Sequence, residues 1–235
     1  MQDLRTFIFD LDGTLLKMDT ELFMNLYFGE MTKHFSGIIE SQTLIDSILA
    51  STKTTVMNTD HLTNESVFWG DFNQRMSEHK EIIIKEIANY YETGYLKTRQ
   101  ATMRSQHMIT AVKLLKQKGY DVVIATNPLF PRKAILDRIR WAGFEPEDFS
   151  YITSFENNHY CKPHLEFYRE VLSDIRRQAK ECMMVGNDAQ EDMVVSKLGV
   201  KTWLVEDCLI NRKAELPPVD HKGSSEAFLN WVKNL

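Results

Sequence analysis

The sequence predicts an α/β fold, in which a parallel β-sheet carries helices on both faces and a block of helices is inserted after the first strand. Two observations support this prediction. Residues 6–9 form a short apolar strand at the start of the chain, far from the other predicted strands. From about residue 102 onward, helical and strand patterns alternate, and this alternation is typical of parallel sheets with helical crossovers.

The first strand leads directly into a pair of acidic residues. Residues 6–9 are aromatic or β-branched, as in a buried strand. Asp10 and Asp12 follow, and side chains two positions apart on an extended chain point the same way. Two adjacent carboxylates are costly unless a cation lies between them or one of them carries a proton. A solvated Asp-x-Asp-Gly turn, with Gly13 at the bend, is the alternative interpretation.

Residues 17–99 are predicted to form a helical insert. Their apolar positions recur every three or four residues, as on one face of an amphipathic helix, and no β-hairpin signal interrupts them. The four predicted helices cover residues 20–37, 41–49, 67–76 and 82–94, with Ser41 as the N-cap of the second. We expect this insert to close over the ends of the strands and to exclude water from a bound small substrate.

The rest of the chain alternates between the two patterns. Helices are predicted over residues 108–118, 131–141, 163–176, 189–198 and 225–232, and strands over residues 121–126, 149–153, 182–185 and 200–205. Residues 216–223 have the character of a surface loop. Ligands bind at the carboxyl ends of the strands in sheets of this kind, so the functional site is expected there.

Two further predicted strand ends carry groups that suit an anion. Thr126 and Asn127 end the second strand, and the Thr126 hydroxyl and the Asn127 backbone N–H can both donate to a phosphate oxygen. An ordinary turn is the alternative interpretation. Lys162 precedes a predicted helix, where its charge opposes the helix dipole. A bound anion would explain that position, and a solvated lysine is the alternative.

A fourth strand end carries three acidic residues within five positions, Asp188, Glu191 and Asp192. Asp188 with Glu191 three residues later is typical of a capping box at a helix N-terminus. A cap needs only one carboxylate, however, and the acidic groups repel one another unless a cation is present. Hard oxygen ligands with retained waters are what Mg²⁺ prefers.

Taken in order, these four stretches resemble the four motifs of the haloacid dehalogenase-like hydrolase superfamily. The Asp-x-Asp-Gly-Thr-Leu sequence at residues 10–15 resembles the first motif, and Thr126, Lys162 and the acidic pair Asp188 and Asp192 resemble the other three. The resemblance covers nearly the whole chain. The fourth motif departs slightly, because Gly186-Asn187-Asp188 stands where many relatives have Gly-Asp.

The resemblance implies a three-layer Rossmann-like core, made of residues 1–16 and 100–235, with an inserted α-helical cap domain at residues 17–99. Most members of the superfamily are phosphatases, so the implied activity is Mg²⁺-dependent hydrolysis of a small phosphomonoester metabolite. Asp10 would attack the phosphorus and form an aspartyl-phosphate. Asp12 would protonate the leaving oxygen and then accept a proton from the hydrolytic water.

The resemblance also implies the groups that bind phosphate and metal. Thr126, the Asn127 amide and Lys162 would hold phosphate oxygens. Mg²⁺ would be held by Asp10, by the backbone carbonyl of Asp12 and by Asp188. We expect Asp192 to act on the metal site without contacting the metal directly, through a metal-bound water or through Lys162. Glu191 is expected to cap the helix or to face solvent, with no role at the metal.

Three alternative functions are compatible with parts of this pattern. A 2-haloacid dehalogenase uses the same nucleophile but usually lacks the second aspartate and the metal, so Asp12 argues against it. A phosphosugar mutase shares every catalytic residue. A non-catalytic binding protein on the same fold would be expected to have lost one of these residues, and none is missing. His34, Trp69 and Arg75 are candidate substrate contacts in the insert, although such residues more often belong to a bundle's surface or core.

Composition restricts the cellular context. The 235 residues are 43% hydrophobic and 26% charged, which is typical of a soluble protein with one large or two modest domains. The net charge of −5 and the absence of a long basic run predict neither nucleic acid nor an anionic membrane as a partner.

The first residues lack the pattern of a signal peptide. Three scattered cysteines predict a reducing, cytoplasmic location without a disulfide framework or a zinc site. The sequence predicts no oligomeric state.

Overall fold

A computed structural model describes residues 3–235. Along the chain the strands are β1 (Thr6–Phe9), β2 (Leu16–Met18), β3 (Thr102–Arg104), β4 (Asp121–Ile124), β5 (Tyr151–Ile152), β6 (Cys182–Gly186), β7 (Lys201–Val205) and β8 (His221–Gly223). Six of them form one parallel sheet in the order β5-β4-β1-β6-β7-β8. The predicted parallel sheet is therefore confirmed.

The α-helices are α1 (Thr20–His34), α2 (Ser41–Met57), α3 (Asn64–Arg75), α4 (Lys80–Glu92), α5 (Gln106–Gln117), α6 (Arg132–Ala142), α7 (Leu165–Asp174) and α8 (Ser225–Lys233). Two longer 3₁₀ helices cover Gly94–Ala101 and Met193–Leu198. Within residues 3–235, no helix combines the length and the apolar character that a membrane span requires. All three cysteines are free thiols.

β1 lies at the centre of the sheet, between β4 and β6. Because alternate side chains of a strand point to opposite faces, Phe7 and Phe9 enter one hydrophobic core while Ile8 enters another. The first core includes buried residues of α5, α6 and α8, and the second includes those of α7. The sheet thus has helices on both faces, as predicted, and β1 delivers Asp10 to its carboxyl edge.

The helices α1 to α4 lie between β2 and β3, which form a separate two-stranded antiparallel ribbon. Leu16 pairs with Arg104 and Met18 pairs with Thr102. The chain therefore leaves the sheet along β2 and returns beside it along β3. This ribbon was not predicted, since each strand has only three residues.

The segment after β6 differs from its prediction. Residues 189–198 were expected to form one α-helix, but a turn comes first and a 3₁₀ helix follows at Met193–Leu198. The carboxylate of Asp188 accepts the backbone N–H groups of Gln190 and Glu191. These bonds favour a tight local turn over the start of a regular helix.

Two other predictions were wrong. Residues 216–223 were expected to be a surface loop, but His221–Gly223 pairs with β7 and forms the edge strand β8.

Ser41 was expected to cap α2, but Glu40 is the N-cap and its carboxylate accepts the N–H groups of Gln42 and Thr43. A carboxylate is also favoured there by the helix dipole. The strand predicted over residues 149–153 is shorter, at Tyr151–Ile152.

Candidate active site

The carboxyl ends of β1, β4 and β6 surround one pocket with a volume of about 200 Å³. Its polar lining includes residues from all four predicted motifs, namely Asp10, Asp12, Thr126, Asn127, Lys162, Asp188, Glu191 and Asp192, together with Thr20, Asn187 and Arg212. The structure therefore brings together every residue that the sequence pattern assigned to catalysis, phosphate binding or metal binding.

A tight turn after β1 positions the first two aspartates. Gly13 has a φ of +88°, in the left-handed region that favours glycine. A Cβ atom there would lie 2.3 Å from the side-chain nitrogen of Asn187. Thr14 Oγ1 donates to Asn187 Oδ1 at 2.9 Å, and Asn187 Nδ2 donates to the Cys208 carbonyl at 2.8 Å. The residue that makes the fourth motif unusual therefore joins the loops after β1 and β6.

Lys162 lies between two carboxylates at the floor of the pocket. Its Nζ is 2.8 Å from Asp10 Oδ1 and 2.6 Å from Asp192 Oδ1, and the residue is 2% exposed. Burial acts to lower the pKa of Lys162, but the two carboxylates outweigh it and hold that pKa well above its ordinary value. The lysine is therefore charged beside Asp10, where it can also meet a phosphate oxygen.

Asp192 is buried behind this lysine. Its Oδ2 accepts the backbone N–H of Asp188 at 2.9 Å. A Cβ atom on Gly186 would lie 2.2 Å from the Asp192 carboxylate, so only glycine permits this approach. Burial raises the pKa of Asp192 to about 7, and Lys162 opposes that shift. Asp192 thus orients both the lysine and the backbone of Asp188.

Asp188 pairs with an arginine that the sequence did not indicate. Its Oδ1 accepts the N–H groups of Gln190 and Glu191, and its Oδ2 lies 2.7 Å from Arg212 Nη1. The Arg212 side chain is 52% exposed and comes from the loop between β7 and β8. No sequence motif includes Arg212. It reaches the pocket only because the fold brings the loop between β7 and β8 next to Asp188.

Glu191 differs from its prediction, because it neither caps a helix nor points freely into solvent. Its Oε2 accepts from Asn127 Nδ2 at 3.4 Å, and its Oε1 lies 3.4 Å from Arg212 Nη2. Burial raises the pKa of Glu191, and the nearby Asp188 carboxylate raises it further. Glu191 therefore forms part of the pocket wall.

The two residues at the end of β4 lie on the other side of Lys162. Asn127 Oδ1 accepts the backbone N–H of Lys162 at 3.2 Å. The Thr126 carbonyl accepts from Thr153 Oγ1 at 2.7 Å. These bonds hold the loop that presents Thr126 and Asn127 beside the lysine.

Asp12 faces a buried cation. Arg138 Nε lies 3.0 Å from Asp12 Oδ1, and the Arg138 side chain is completely buried while that of Asp12 is 29% exposed. The two atoms are in ionic contact but are not aligned as a hydrogen bond. Burial raises the pKa of Asp12, Arg138 opposes the shift, and the neighbouring Asp10 adds to it.

Arg138 is held by aromatic residues of both the core and the insert. Its Nη1 donates to the Tyr95 hydroxyl at 2.7 Å. Its guanidinium carbon lies 4.7 Å from the centre of the Phe130 ring, within reach of a cation–π interaction. The sequence did carry a signal, because Arg138 is a charged residue on the buried face of α6, with Ile135 and Ala142.

The insert contributes an apolar wall to the pocket, at Met18, Phe23 and Met24. The candidate contacts predicted within the insert are not part of that wall. His34 Nε2 lies 3.7 Å from Glu86 Oε2, and Arg75 Nε lies 2.6 Å from Asp71 Oδ2. Trp69 lines a neighbouring cavity instead.

Within residues 3–235, no group of three or more His, Cys, Asp or Glu side chains is arranged to hold a metal ion by itself. The predicted metal set contains fewer side chains than that, since Asp12 was assigned its backbone carbonyl. The two carboxylates of the set, Asp10 and Asp188, line the same pocket.

Comparison with known sequences finds one matching family model and related proteins. The family model of the haloacid dehalogenase-like hydrolases matches residues 4–194. A protein named pyrophosphatase PpaX from Bacillus cereus is 22% identical over 209 residues, which is 89% of this chain and 86% of the relative.

Three solved structures share the fold. A predicted phosphoglycolate phosphatase from Haemophilus somnus has a TM-score of 0.62 at 15% identity, over 98% of this chain and 99% of that one. An L-2-haloacid dehalogenase from Xanthobacter autotrophicus has a TM-score of 0.60 at 10% identity, over 99% of both chains. YfnB from Bacillus subtilis, a HAD-hydrolase bound to magnesium, has a TM-score of 0.59 at 16% identity, over 99% of both chains.

Proposed function

The chain belongs to the haloacid dehalogenase-like hydrolase family and is an enzyme of that family, and on this premise we propose that it is a Mg²⁺-dependent phosphatase acting on a small phosphomonoester. One observation carries the proposal. Asp10 and Asp12 line the same pocket as Lys162, so a nucleophile, a proton donor and a cation for the phosphate lie together. The related protein named as a pyrophosphatase agrees with chemistry at phosphorus.

Asp10 is the nucleophile in this proposal. Its Oδ1 accepts from Lys162, whereas its Oδ2 has only a contact of 3.5 Å from Thr14 Oγ1. A bond from Asp10 to phosphorus forms as the ester P–O bond breaks, which gives an aspartyl-phosphate and the alcohol. Water then attacks the phosphorus, and inorganic phosphate leaves as the Asp10 carboxylate is restored.

Asp12 supplies and removes the proton. Its side chain lines the pocket and has a raised pKa, chiefly through burial, which favours the protonated form that a general acid needs. In the first step its proton passes to the departing alcohol oxygen. In the second step the resulting carboxylate takes a proton from the attacking water. Arg138 stabilises the carboxylate form between the two steps.

Lys162, Thr126 and Asn127 bind the phosphate in this proposal. The lysine is charged and fixed by two carboxylates, so little reorganisation is required when a phosphate oxygen arrives. The end of β4 is tied to the Lys162 backbone through Asn127. A positioned set of donors of this kind is what phosphoryl transfer requires.

Mg²⁺ fits the oxygen ligands that the pocket offers. It is commonly bound through one or two carboxylates while it keeps several waters. Asp10 and Asp188 would supply the carboxylates and Asp12 its backbone carbonyl. Bound Mg²⁺ would offset the negative charge of the carboxylates and of the phosphate. Asp192 would orient Asp188 from behind, through the backbone N–H that it accepts.

We assign the role of a cap domain to residues 17–99, over a core of residues 1–16 and 100–235. Support comes from Met18, Phe23 and Met24, which line the catalytic pocket opposite the strand ends. A cap of this kind excludes water from the reaction and restricts entry to small substrates.

The dehalogenase alternative is less well supported. A dehalogenase uses the same nucleophile but needs no proton donor at the position of Asp12, whereas Asp12 lines the pocket here. A phosphosugar mutase would use the same residues. It is distinguished by its product, since a mutase returns a phosphorylated sugar while a phosphatase releases inorganic phosphate.

Release of phosphate from p-nitrophenyl phosphate tests the proposal. We expect release with Mg²⁺, none with EDTA, and none from Asp10→Asn. Asp60→Asn is the matched control, because Asp60 lies on the surface outside the pocket. Full activity in EDTA would contradict the metal requirement, and full activity of Asp10→Asn would contradict the nucleophile.

A further inference from the structure

A second cavity lies beside the catalytic pocket, between the helices of the insert and the loop before α6. We call it the apolar chamber, and it is lined most prominently by Tyr27, Ile48, Trp69, Phe72, Ile87 and Phe155. Its volume is about 260 Å³. Within residues 3–235, no charged side chain lines it, and Thr52 is its one lining residue that is neither aromatic nor aliphatic.

The apolar chamber and the catalytic pocket share part of their walls. Met24, Leu129 and Phe130 line both of them. On the side that faces the chamber, the wall of the catalytic pocket is apolar, whereas its floor carries Asp10 and Lys162. A ligand with its phosphate at the floor would therefore direct its other end toward these three apolar residues.

The chamber has few polar side chains, and they are Tyr27, Thr52, Trp69 and Tyr91. The hydroxyls of Tyr27 and Tyr91 lie 3.2 Å apart and hydrogen-bond to each other. The Tyr27 carbonyl accepts from Tyr90 at 2.8 Å. A sugar or a carboxylate placed in the chamber would lose several bonds to water and meet few polar partners there, and unpaired polar groups oppose binding.

We propose that the substrate is a phosphate monoester of an apolar alcohol, whose alkyl or aryl group occupies the apolar chamber while its phosphate lies at the floor of the catalytic pocket, beside Asp10 and Lys162. This inference rests on the proposed phosphatase function. Burial of apolar area in the chamber supplies the affinity, and the small number of polar partners in its lining selects against hydroxylated or acidic leaving groups. The exposed side chain of Leu49 and the half-buried Thr52 mark where the chamber reaches the surface.

A series of n-alkyl phosphates from ethyl to hexyl tests this inference, because the reacting bond is nearly the same throughout. We expect kcat/KM to rise by roughly three- to fourfold for each added methylene. Glycerol 1-phosphate and phosphoglycolate should be poorer substrates than propyl phosphate. A flat series overturns the inference and leaves the phosphatase function intact. Failure to hydrolyse any ester, including p-nitrophenyl phosphate, overturns the phosphatase function instead.

A variant that fills the chamber tests whether the preference for longer alkyl groups arises there. Ile48→Trp should reduce the ratio of kcat/KM for hexyl phosphate to that for ethyl phosphate. Met57→Trp is the matched control, since Met57 lies on the same helix, is 64% exposed and does not line the chamber, and it should keep the wild-type ratio. An unchanged ratio in folded Ile48→Trp protein would contradict the assignment to this chamber.

Binding gives a readout that depends on neither turnover nor the variant. Titration calorimetry of the wild-type protein with ethylphosphonate and hexylphosphonate compares two ligands that are not hydrolysed. We expect hexylphosphonate to bind at least tenfold more tightly, since four more methylenes leave water. Equal dissociation constants would overturn the inference even if the enzyme hydrolysed every ester in the series.

Discussion

Arg138 Nε lies 3.0 Å from Asp12 Oδ1, and the arginine side chain is completely buried. The same guanidinium donates to the hydroxyl of Tyr95. Arg138 belongs to α6 and Tyr95 to the 3₁₀ helix at the end of the insert. The proposed proton donor is therefore positioned by a residue that also contacts the insert.

Replacing Arg138 with Met is expected to move the alkaline limb of the kcat/KM profile to higher pH. A general acid acts in its protonated form, so activity falls as the pH rises through the pKa of Asp12. Arg138 lowers this pKa, and its removal therefore raises it. The maximum should fall by about 100-fold, as it does when a catalytic group is misplaced. The measurement is kcat/KM against pH for an alkyl phosphate, whose leaving group needs protonation.

Two variants separate charge from packing in that experiment. Arg138→Lys keeps a cation, so the limb should return toward its wild-type position while the rate recovers only in part. Arg140→Met lies on the same helix with a side chain that is 50% exposed, and it should leave the profile unchanged. An alkaline limb that stays in place in Arg138→Met would mean that Arg138 has only a packing role.

Replacing Lys162 with Met should destabilise the protein, and more so at pH 8 than at pH 5. Loss of one partner of a buried ion pair costs about 3–5 kcal/mol. Burial raises the pKa of Asp192 and Lys162 opposes that shift, so removal of the lysine moves the folded-state pKa of Asp192 further above its unfolded value. Stability is then greatest where Asp192 is protonated, and it is lost as the pH rises through this folded-state pKa. Urea denaturation at the two pH values measures this difference.

A surface lysine provides the control for Lys162→Met. Lys116 Nζ lies 2.6 Å from Asp148 Oδ1, with a side chain that is 38% exposed. Lys116→Met should cost at most about 1 kcal/mol at either pH. Adding Asp192→Asn to Lys162→Met should recover part of the lost stability. A loss that is equal at both pH values would show that the two carboxylates do not repel each other.

The acidic residues after β6 should differ in their effect on the Mg²⁺ requirement. Asp188→Ala should raise the Mg²⁺ concentration for half-maximal activity steeply, since it removes a carboxylate that we propose as a direct ligand. Asp192→Asn should raise it by roughly 10- to 100-fold, because it loosens the support of that ligand. Glu191→Gln should leave it nearly unchanged. A Mg²⁺ titration that is unaltered in Asp188→Ala would refute the metal assignment.

Gly13→Ala should destabilise the protein more than Gly37→Ala. The two glycines have similar φ values, +88° and +79°, so the conformational strain of an added Cβ is comparable, at about 1–2 kcal/mol. A Cβ at Gly37 meets no atom within 4 Å, whereas one at Gly13 would overlap Asn187. Thermal denaturation of both variants isolates the effect of that overlap. Equal losses would indicate that Asn187 moves aside freely.

Much of the core was predictable because its signals are local. The central strand, the later helices and the four strand ends each have a pattern within a few residues. Parallel pairing then places Asp10, Thr126 and Asp188 at one edge, although they are far apart in sequence. Periodicity and the rule for strand ends therefore predicted this edge, and the resemblance to the four motifs selected Thr126 and Lys162 within it.

The features that were missed depend on contacts between distant segments. β8 is a strand only through its pairing with β7, and no local pattern distinguishes it from a loop. Arg212 reaches Asp188 from a loop 24 residues later. The turn at Asp188 replaced a helix because one carboxylate accepted two backbone N–H groups, and the same acidic residues are also compatible with a helix N-cap.

The ribbon of β2 and β3 has a consequence for how this chain can evolve. The pairing of Met18 with Thr102 brings the two ends of the insert together. The insert is therefore a closed loop that begins and ends at one place beside the core. The entropic free-energy cost of closing a loop rises only with the logarithm of its length, by about 0.6 kcal/mol for each doubling. Helices can therefore be added to or removed from the insert at little cost to the sheet. Substrate range can then diversify by changes in length as well as in sequence, while the strand ends that bear the chemistry stay fixed.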